Sequence, residues 1–193
     1  MKFECLKCGR CCKDEKTIVT LTHRDLIRLA EAIEMDEKEL VKHVLVFYQV
    51  NEDTEAFLAF PSIETYRGKA IMGLRKRKDG SCIFLEENTC SVYPSRPMTC
   101  RTFPFTFSVQ DGWLKYGVAT RAKDICPGIG KGMEIDENQL AEIGWKAVTE
   151  LKEYFRIAAL WKRAVRSGVP AIPELLIKLI LQSGGKEEVA IKR

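Results

Sequence analysis

Eight cysteines constrain this 193-residue chain more than any other feature, because four fall between residues 5 and 12 and the other four lie between 82 and 126. Cys5, Cys8, Cys11 and Cys12 form the run C-x2-C-x2-C-C, and Cys82, Cys90, Cys100 and Cys126 follow with the spacing C-x7-C-x9-C-x25-C. A chain of this length builds an apolar core without covalent staples, and eight cysteines are too few for a disulfide mini-scaffold. Two thiolates separated by two residues turn toward one ion, and soft sulfur ligands select zinc, copper(I) or iron-sulfur centres over calcium and magnesium. Cys5, Cys8 and Cys11 have the spacing with which bacterial ferredoxins hold three corners of a [4Fe-4S] cluster. The remote fourth ligand there is followed by proline, as Cys126-Pro127 is here. The distal spacing fits neither a second ferredoxin motif nor the paired C-x2-C of a zinc ribbon. Neighbouring side chains of an extended backbone face opposite ways, so adjacent Cys11 and Cys12 imply either two centres or one spare cysteine. An isolated distal cysteine also suits the role of a small buried apolar residue.

Lys and Arg number 31 against 27 Asp and Glu, a net +4 that announces neither a nucleic-acid nor an anionic-membrane partner. With 46% hydrophobic and 30% charged residues, disordered and low-complexity classes are excluded. The start of the chain lacks an apolar segment followed by a cleavage site, and no stretch reaches 18 uncharged apolar residues. The expectation is a cytoplasmic protein, with no membrane partner, whose thiols are kept reduced.

Thr17 to Leu21 reads as a short β-rich piece, and Thr22-x-x-Asp25 caps an amphipathic helix through Leu26, Leu29, Ala30 and Ile33. A short helix starts at Asp36. Residues 55–60 and 70–77 read as strands, and Val109 to Trp113 as a hairpin turn between 103–109 and 113–119. Asp136 and Gln139 open the longest helix, which runs toward Gly168. Pro173 starts a last helix, apolar nearly all round and expected to pack on the long one, which ends at Gly184-Gly185 before a charged, frayed tail. The fold class is α+β, with a small antiparallel sheet and cysteine-rich loops around a metal site, packed against N-terminal and long C-terminal helices. One domain is expected over residues 1–193, a cysteine region at 1–132 and a helical extension at 133–193.

Other motifs carry less chemistry. Gly128-Ile129-Gly130-Lys131-Gly132 matches neither nucleotide-loop spacing and reads as a turn. His23 and His43 are isolated and read as structural, although three thiolates with one imidazole would also suit zinc. Arg75-Lys76-Arg77-Lys78 reads as a solvated basic loop. Phe103, Phe105 and Phe107 alternate with period two, so they share one strand face that packs in the core and keeps water from a metal beside Cys100.

Cys5-x2-Cys8-Gly9-x-Cys11-Cys12, Gly80-Ser81-Cys82-Ile83-Phe84-Leu85, the segment from Cys90-Ser91-Val92-Tyr93-Pro94 through Arg96-Pro97-Met98-Thr99-Cys100-Arg101 to Phe105, and Cys126-Pro127-Gly128 closely resemble the YkgJ-type CxxCxxCC cysteine-cluster family. The resemblance spans about residues 3 to 132. It implies chelation of zinc or iron by the eight cysteines, as zinc or as an iron-sulfur cluster such as [4Fe-4S]. The flagellin lysine methylases are similar in cysteine pattern, which would imply a cluster used in methyl transfer, although no Rossmann-type glycine loop offers a site for S-adenosylmethionine. A nucleic-acid-binding zinc module is a third reading.

Four thiolates on Zn²⁺ or on a [4Fe-4S]²⁺ core leave a net anion of about −2, which Arg96 and Arg101 are placed to stabilise from outside the ligand shell. The bland alternative for both is pairing with surface carboxylates. Pro94 and Pro97 fix the backbone on either side of Arg96, and Gly9 lets the chain turn closely around the metal. Because a shared metal would join Cys5 to Cys126, chelation is expected to unfold the protein cooperatively, read as loss of far-UV circular dichroism. A spectrum unchanged after complete metal removal would contradict the link.

Overall fold

The structure is a computed structural model and describes residues 1–51 and 59–184. Most of the strand expected at 55–60, and the tail beyond Gly184 with Gly185, lie outside the described residues. The chain opens with strand β1 (Lys2–Phe3), a one-turn helix α1 (Arg10–Lys13) and helix α2 (His23–Ile33). Helix α3 (Glu37–Glu39) continues through a π-helical turn, Leu40–Val44, into β2 (Leu45–Gln49). Strands β3 (Ile63–Thr65) and β4 (Gly68–Leu74) complete a three-stranded antiparallel sheet of order β2-β4-β3. The short pair β5 (Leu85–Glu86) and β6 (Thr89–Cys90), a 3-10 turn at Tyr93–Ser95 and helix α4 (Met98–Thr102) follow. After these come the hairpin β7 (Phe105–Gln110) and β8 (Trp113–Val118), helix α5 (Thr120–Ile125), strand β9 (Ile129–Glu134), the long helix α6 (Glu137–Arg166) and helix α7 (Pro173–Ser183).

The mixed class with small antiparallel sheets is as expected. The capping signals also hold, since Thr22 and Asp25 form a reciprocal capping box and Asp36 and Asp136 accept from the first amides of α3 and α6. In the hairpin, Asp111 and Gly112 both have positive φ, as a two-residue primed turn requires.

Two expectations gain a tertiary role and one is corrected. Residues 128–132 open on a turn, closed by the Lys131 amide on the Gly128 carbonyl, and run on into β9, which pairs antiparallel with β1, so that Gly128 and Gly132 also leave room for Glu4. A Cβ on Gly128 would lie 2.1 Å from the Glu4 carbonyl oxygen, and the Glu4 amide donates to the Gly128 oxygen at 3.2 Å. The basic run is the exposed loop expected, with Arg75, Arg77 and Lys78 at the surface, and three of its side chains are tied to backbone. Arg75 donates to the Val41 and Leu45 carbonyls, Lys76 Nζ to those of Asp14 and Glu15, and Arg77 to those of Ile83 and Leu85. Helix α7 buries Leu176, Ile177 and Ile180 chiefly against α2 and α3 rather than on the long helix, because α6 spends its apolar face on β3, α4 and the hairpin. Thr17 to Leu21 runs extended but joins the sheet edge only through a bridge at Thr20 to Gly73. No described helix is long and apolar enough to cross a membrane.

The core unites Leu26 and Leu29 of α2, Met72 and Leu74 of β4, Tyr154 and Trp161 of α6, and the buried face of α7, with Cys82, Phe84 and Cys90 packed against its edge. Between α2 and α6 lies a buried charged network. Arg28 donates to both carboxylate oxygens of Glu150 at 2.9 Å and to Asp25 at 2.5 Å. His23 is fully buried in this network, its Nε2 3.3 Å from Glu153 and its pKa pushed down by burial, which fits the structural role expected of it. His43 is exposed on the π-helical turn.

Asp25 does more than cap α2. Its Oδ1 accepts the Met98 amide at 2.7 Å, so one fully buried carboxylate holds the start of α4, the helix that carries Cys100. Replacing Asp25 with Ala strands Arg28 beside a single partner and frees the Met98 amide, so a loss of about 3–5 kcal/mol is expected in urea unfolding. A loss below about 1 kcal/mol would show that the carboxylate does not hold α4 in place.

Candidate metal centre

All eight cysteines line one cavity of about 200 Å³. None is in a disulfide: Cys5, Cys8 and Cys11 are exposed, and Cys12, Cys82, Cys90, Cys100 and Cys126 are half-buried. Each reaches the cavity on a different device. The β1-β9 pairing carries Cys5 to the segment that follows Cys126, which closes α5 with its amide on the Ala122 carbonyl. Gly9, at φ +69°, caps α1, and a Cβ there would press to 3.1 Å from the Asn88 carbonyl oxygen. That close approach lets α1, with Cys11 and Cys12, pack on the loop between Cys82 and Cys90. Lys13 reaches Asn88 from the same helix. The Cys82 amide donates to the Cys12 carbonyl at 2.8 Å, and Cys90 pairs with Leu85 across β5 and β6.

Two ties were not legible as such. Asp14, directly after the cysteine run, accepts a bidentate pair from Arg121 of α5, joining the helix of Cys11 and Cys12 to the helix that ends at Cys126. Its carboxyl is held well below its ordinary range, first by Arg121 and then by Thr17. Thr99 of α4 hydrogen bonds Thr20, which fixes Cys100 to the edge of the sheet. The position of Asp14 was the available signal for the first tie; nothing in the spacing of Thr20 and Thr99 marks the second.

Cys11 and Cys12 correct an expectation. Because α1 is helical rather than extended, their sulfurs do not face opposite ways but lie 4.0 Å apart. With Cys12 as donor, this contact is the largest cause lowering the Cys11 thiol from 9.0 to about 7, against the opposing effect of burial. Cys12 is pushed up by the same contact and then by burial. Burial is the first cause raising Cys82, Cys90, Cys100 and Cys126, and repulsion from neighbouring thiolates adds to it.

The charged residues of the lining are Lys7, Arg10, Arg75, Lys76, Arg96 and Arg101, with no Asp or Glu among them. Arg96 lies over the Tyr93 ring at 3.6 Å from its centroid and donates Nε to the Tyr93 carbonyl, which holds its charge at the cavity. Arg101 donates to the Pro94 carbonyl and so locks the loop from Cys90 to Cys100. Among the described residues, neither forms the pair with a surface carboxylate weighed as the alternative. Phe103 and Phe84 line the cavity, as does Phe3, which meets Phe105 edge-on at 5.3 Å. Of the three phenylalanines expected to share a strand face, Phe105 and Phe107 alternate in β7, with Phe107 against Gly144 of α6, whereas Phe103 precedes the strand.

Among the described residues, no three of His, Cys, Asp and Glu are gathered closely enough to hold an ion as they stand. The thiols surround a space rather than a point. That space is several times the share of a water molecule in the liquid, about 30 Å³.

In metal-free protein, iodoacetamide is expected to alkylate Cys11 with a midpoint near pH 7, because only the thiolate reacts. Cys12→Ala removes the largest cause of the shift and should move that midpoint up toward 9.0. Reaction of Cys11 with a midpoint near 9 in the unsubstituted protein would contradict the contact.

Residues 4–127 match the CxxCxxCC family, described as "Putative zinc- or iron-chelating domain". An uncharacterised protein of Methanocaldococcus jannaschii is 28% identical over 114 residues, which are 58% of this chain and 50% of that protein. The chain thus spans about half the length of that relative. No solved structure matches the chain.

Proposed function

The chain belongs to the CxxCxxCC family, and on that premise we propose that it is a metal-chelating protein whose cysteine-lined cavity holds iron-sulfur, of the [4Fe-4S] type, rather than zinc. The observation that carries this reading is one 200 Å³ cavity lined by all eight cysteines, whose charged neighbours are all cations. Thiols raised by burial and mutual repulsion ionise together only around positive charge, which metal supplies and Arg96 and Arg101 supplement. When bound, such a cluster supplies one-electron chemistry at a potential set by its net charge, its hydrogen bonds and its exposure.

The chain's own residues serve that site in distinct ways. Cys5, Cys8, Cys11, Cys12, Cys82, Cys90, Cys100 and Cys126 are the ligand pool. Arg96, clamped on Tyr93, and Arg101, clamped on Pro94, offset the anionic charge without ligating. Phe3, Phe84 and Phe103 narrow the access of water and oxygen to the sulfurs. Eight free thiols at such a site call for a reducing compartment, the cytoplasm.

Anaerobic purification followed by iron, zinc and acid-labile sulfide analysis tests the reading. Brown protein with iron and sulfide in equal amounts is expected. Colourless protein with zinc at integer stoichiometry and no sulfide would overturn the cluster.

A further inference from the structure

Helix α6 turns its two kinds of charge in opposite directions. From Ile143 to its end it carries six cations, Lys146, Lys152, Arg156, Lys162, Arg163 and Arg166, against two carboxylates, a net +4 that equals the charge of the entire chain. Both carboxylates turn to α2: Glu150 is buried against Arg28, and Glu153 accepts from Arg24 and lies beside His23. The cations turn to solvent, all exposed except the half-buried Lys162.

Steps of three and four residues keep to one face of a helix. The positions 145, 149, 152, 156, 159, 163 and 166 form such a series, and every one of them is exposed. Trp145 opens it, and Lys152, Arg156, Arg163 and Arg166 follow. At a rise of 1.5 Å per residue the stripe is about 30 Å long. Phe155 borders it, and both rings stand in water, Trp145 at 42% and Phe155 at 46% exposure. The helix macrodipole accounts for Arg163 and Arg166 near the C-terminus, but not for Lys146 and Lys152 or for two exposed rings.

We propose that this face of α6 docks a single-stranded nucleic acid, with its cations on successive phosphates and with Trp145 and Phe155 stacked on bases. A linear stripe of cations complements a linear polyanion, and the rings decide its class, because a base stacks on an exposed aromatic only when it is free of its own duplex. An acidic polypeptide would satisfy the cations but brings no bases to the rings. A membrane surface fits less well, since an interfacial helix buries a continuous apolar face, and α6 spends its apolar face on β3, α4 and the hairpin. A net charge too small to announce a partner when spread over the chain is thus concentrated on one side of one helix.

Fluorescence anisotropy of labelled oligothymidylate and oligouridylate, titrated with the full chain purified anaerobically, tests the docking whichever metal the cavity holds. Binding of either strand is expected, falling about fifty-fold between about 50 and 200 mM salt when four phosphates are neutralised. Combining Lys152→Glu, Arg163→Glu and Arg166→Glu in one chain is expected to weaken binding more than tenfold. Trp145→Ala is expected to weaken it about fivefold or more and to leave the salt slope unchanged. Absence of binding at low salt, tighter binding of duplex DNA, or equal binding of polyglutamate would overturn the proposal. So would association with phosphatidylglycerol vesicles alone, or unchanged affinity in the triple variant. Should that variant lose its far-UV circular dichroism, ultraviolet crosslinking of the bound strand to the unsubstituted chain decides instead: adducts within residues 145–166 are expected, and adducts confined to other elements overturn the proposal.

Discussion

Eight sulfur atoms confined around one small space cannot all carry charge unless a cation sits among them, and this constraint governs the rest of the molecule. Burial, with repulsion from neighbouring thiolates, raises Cys82, Cys90, Cys100 and Cys126, and the contact between Cys11 and Cys12 raises Cys12 and lowers Cys11. The surrounding charge is arranged accordingly, with lysines and arginines at the lining and carboxylates turned elsewhere. Asp14 faces Arg121, and Asp25 and Glu150 enclose Arg28. On the proposed reading, metal binding and folding would be parts of one equilibrium in this chain.

The scaffold gathers residues that are far apart in sequence with little regular structure. Two-residue strands, a one-turn helix and a five-residue helix would not persist alone. They are held instead by side chains that bond to backbone: Lys76 to the carbonyls of Asp14 and Glu15, Arg77 to the carbonyls flanking Phe84, and Asp25 to the first amide of α4. Long-range burial by α2, α6 and α7 then supplies the stable floor on which these loops rest.

Much of this was legible in the amino-acid sequence, because the governing signals are local. The capping box at Thr22, the helix starts at Asp136 and Pro173, and the turn at Asp111-Gly112 each depend on chemistry within four residues. The convergence of near and distal cysteines was legible from their types and number. What escaped reading depends on partners distant in the chain. The glycine-rich turn also makes room at Gly128 for Glu4, and the exposed basic run also reaches carbonyls with Arg75, Lys76 and Arg77. Cys11 and Cys12 were misread for a local reason, a helical turn begun by Gly9 where an extended run was assumed.

The central claim is that sulfur from both ends of the cysteine pattern converges on a shared inorganic core. X-ray absorption at the iron and zinc edges of anaerobically prepared protein measures this most directly. A first shell of sulfur alone, with iron neighbours beyond it, is the expected spectrum. A first shell dominated by oxygen or nitrogen would mean that the thiols surround the cavity without holding its metal.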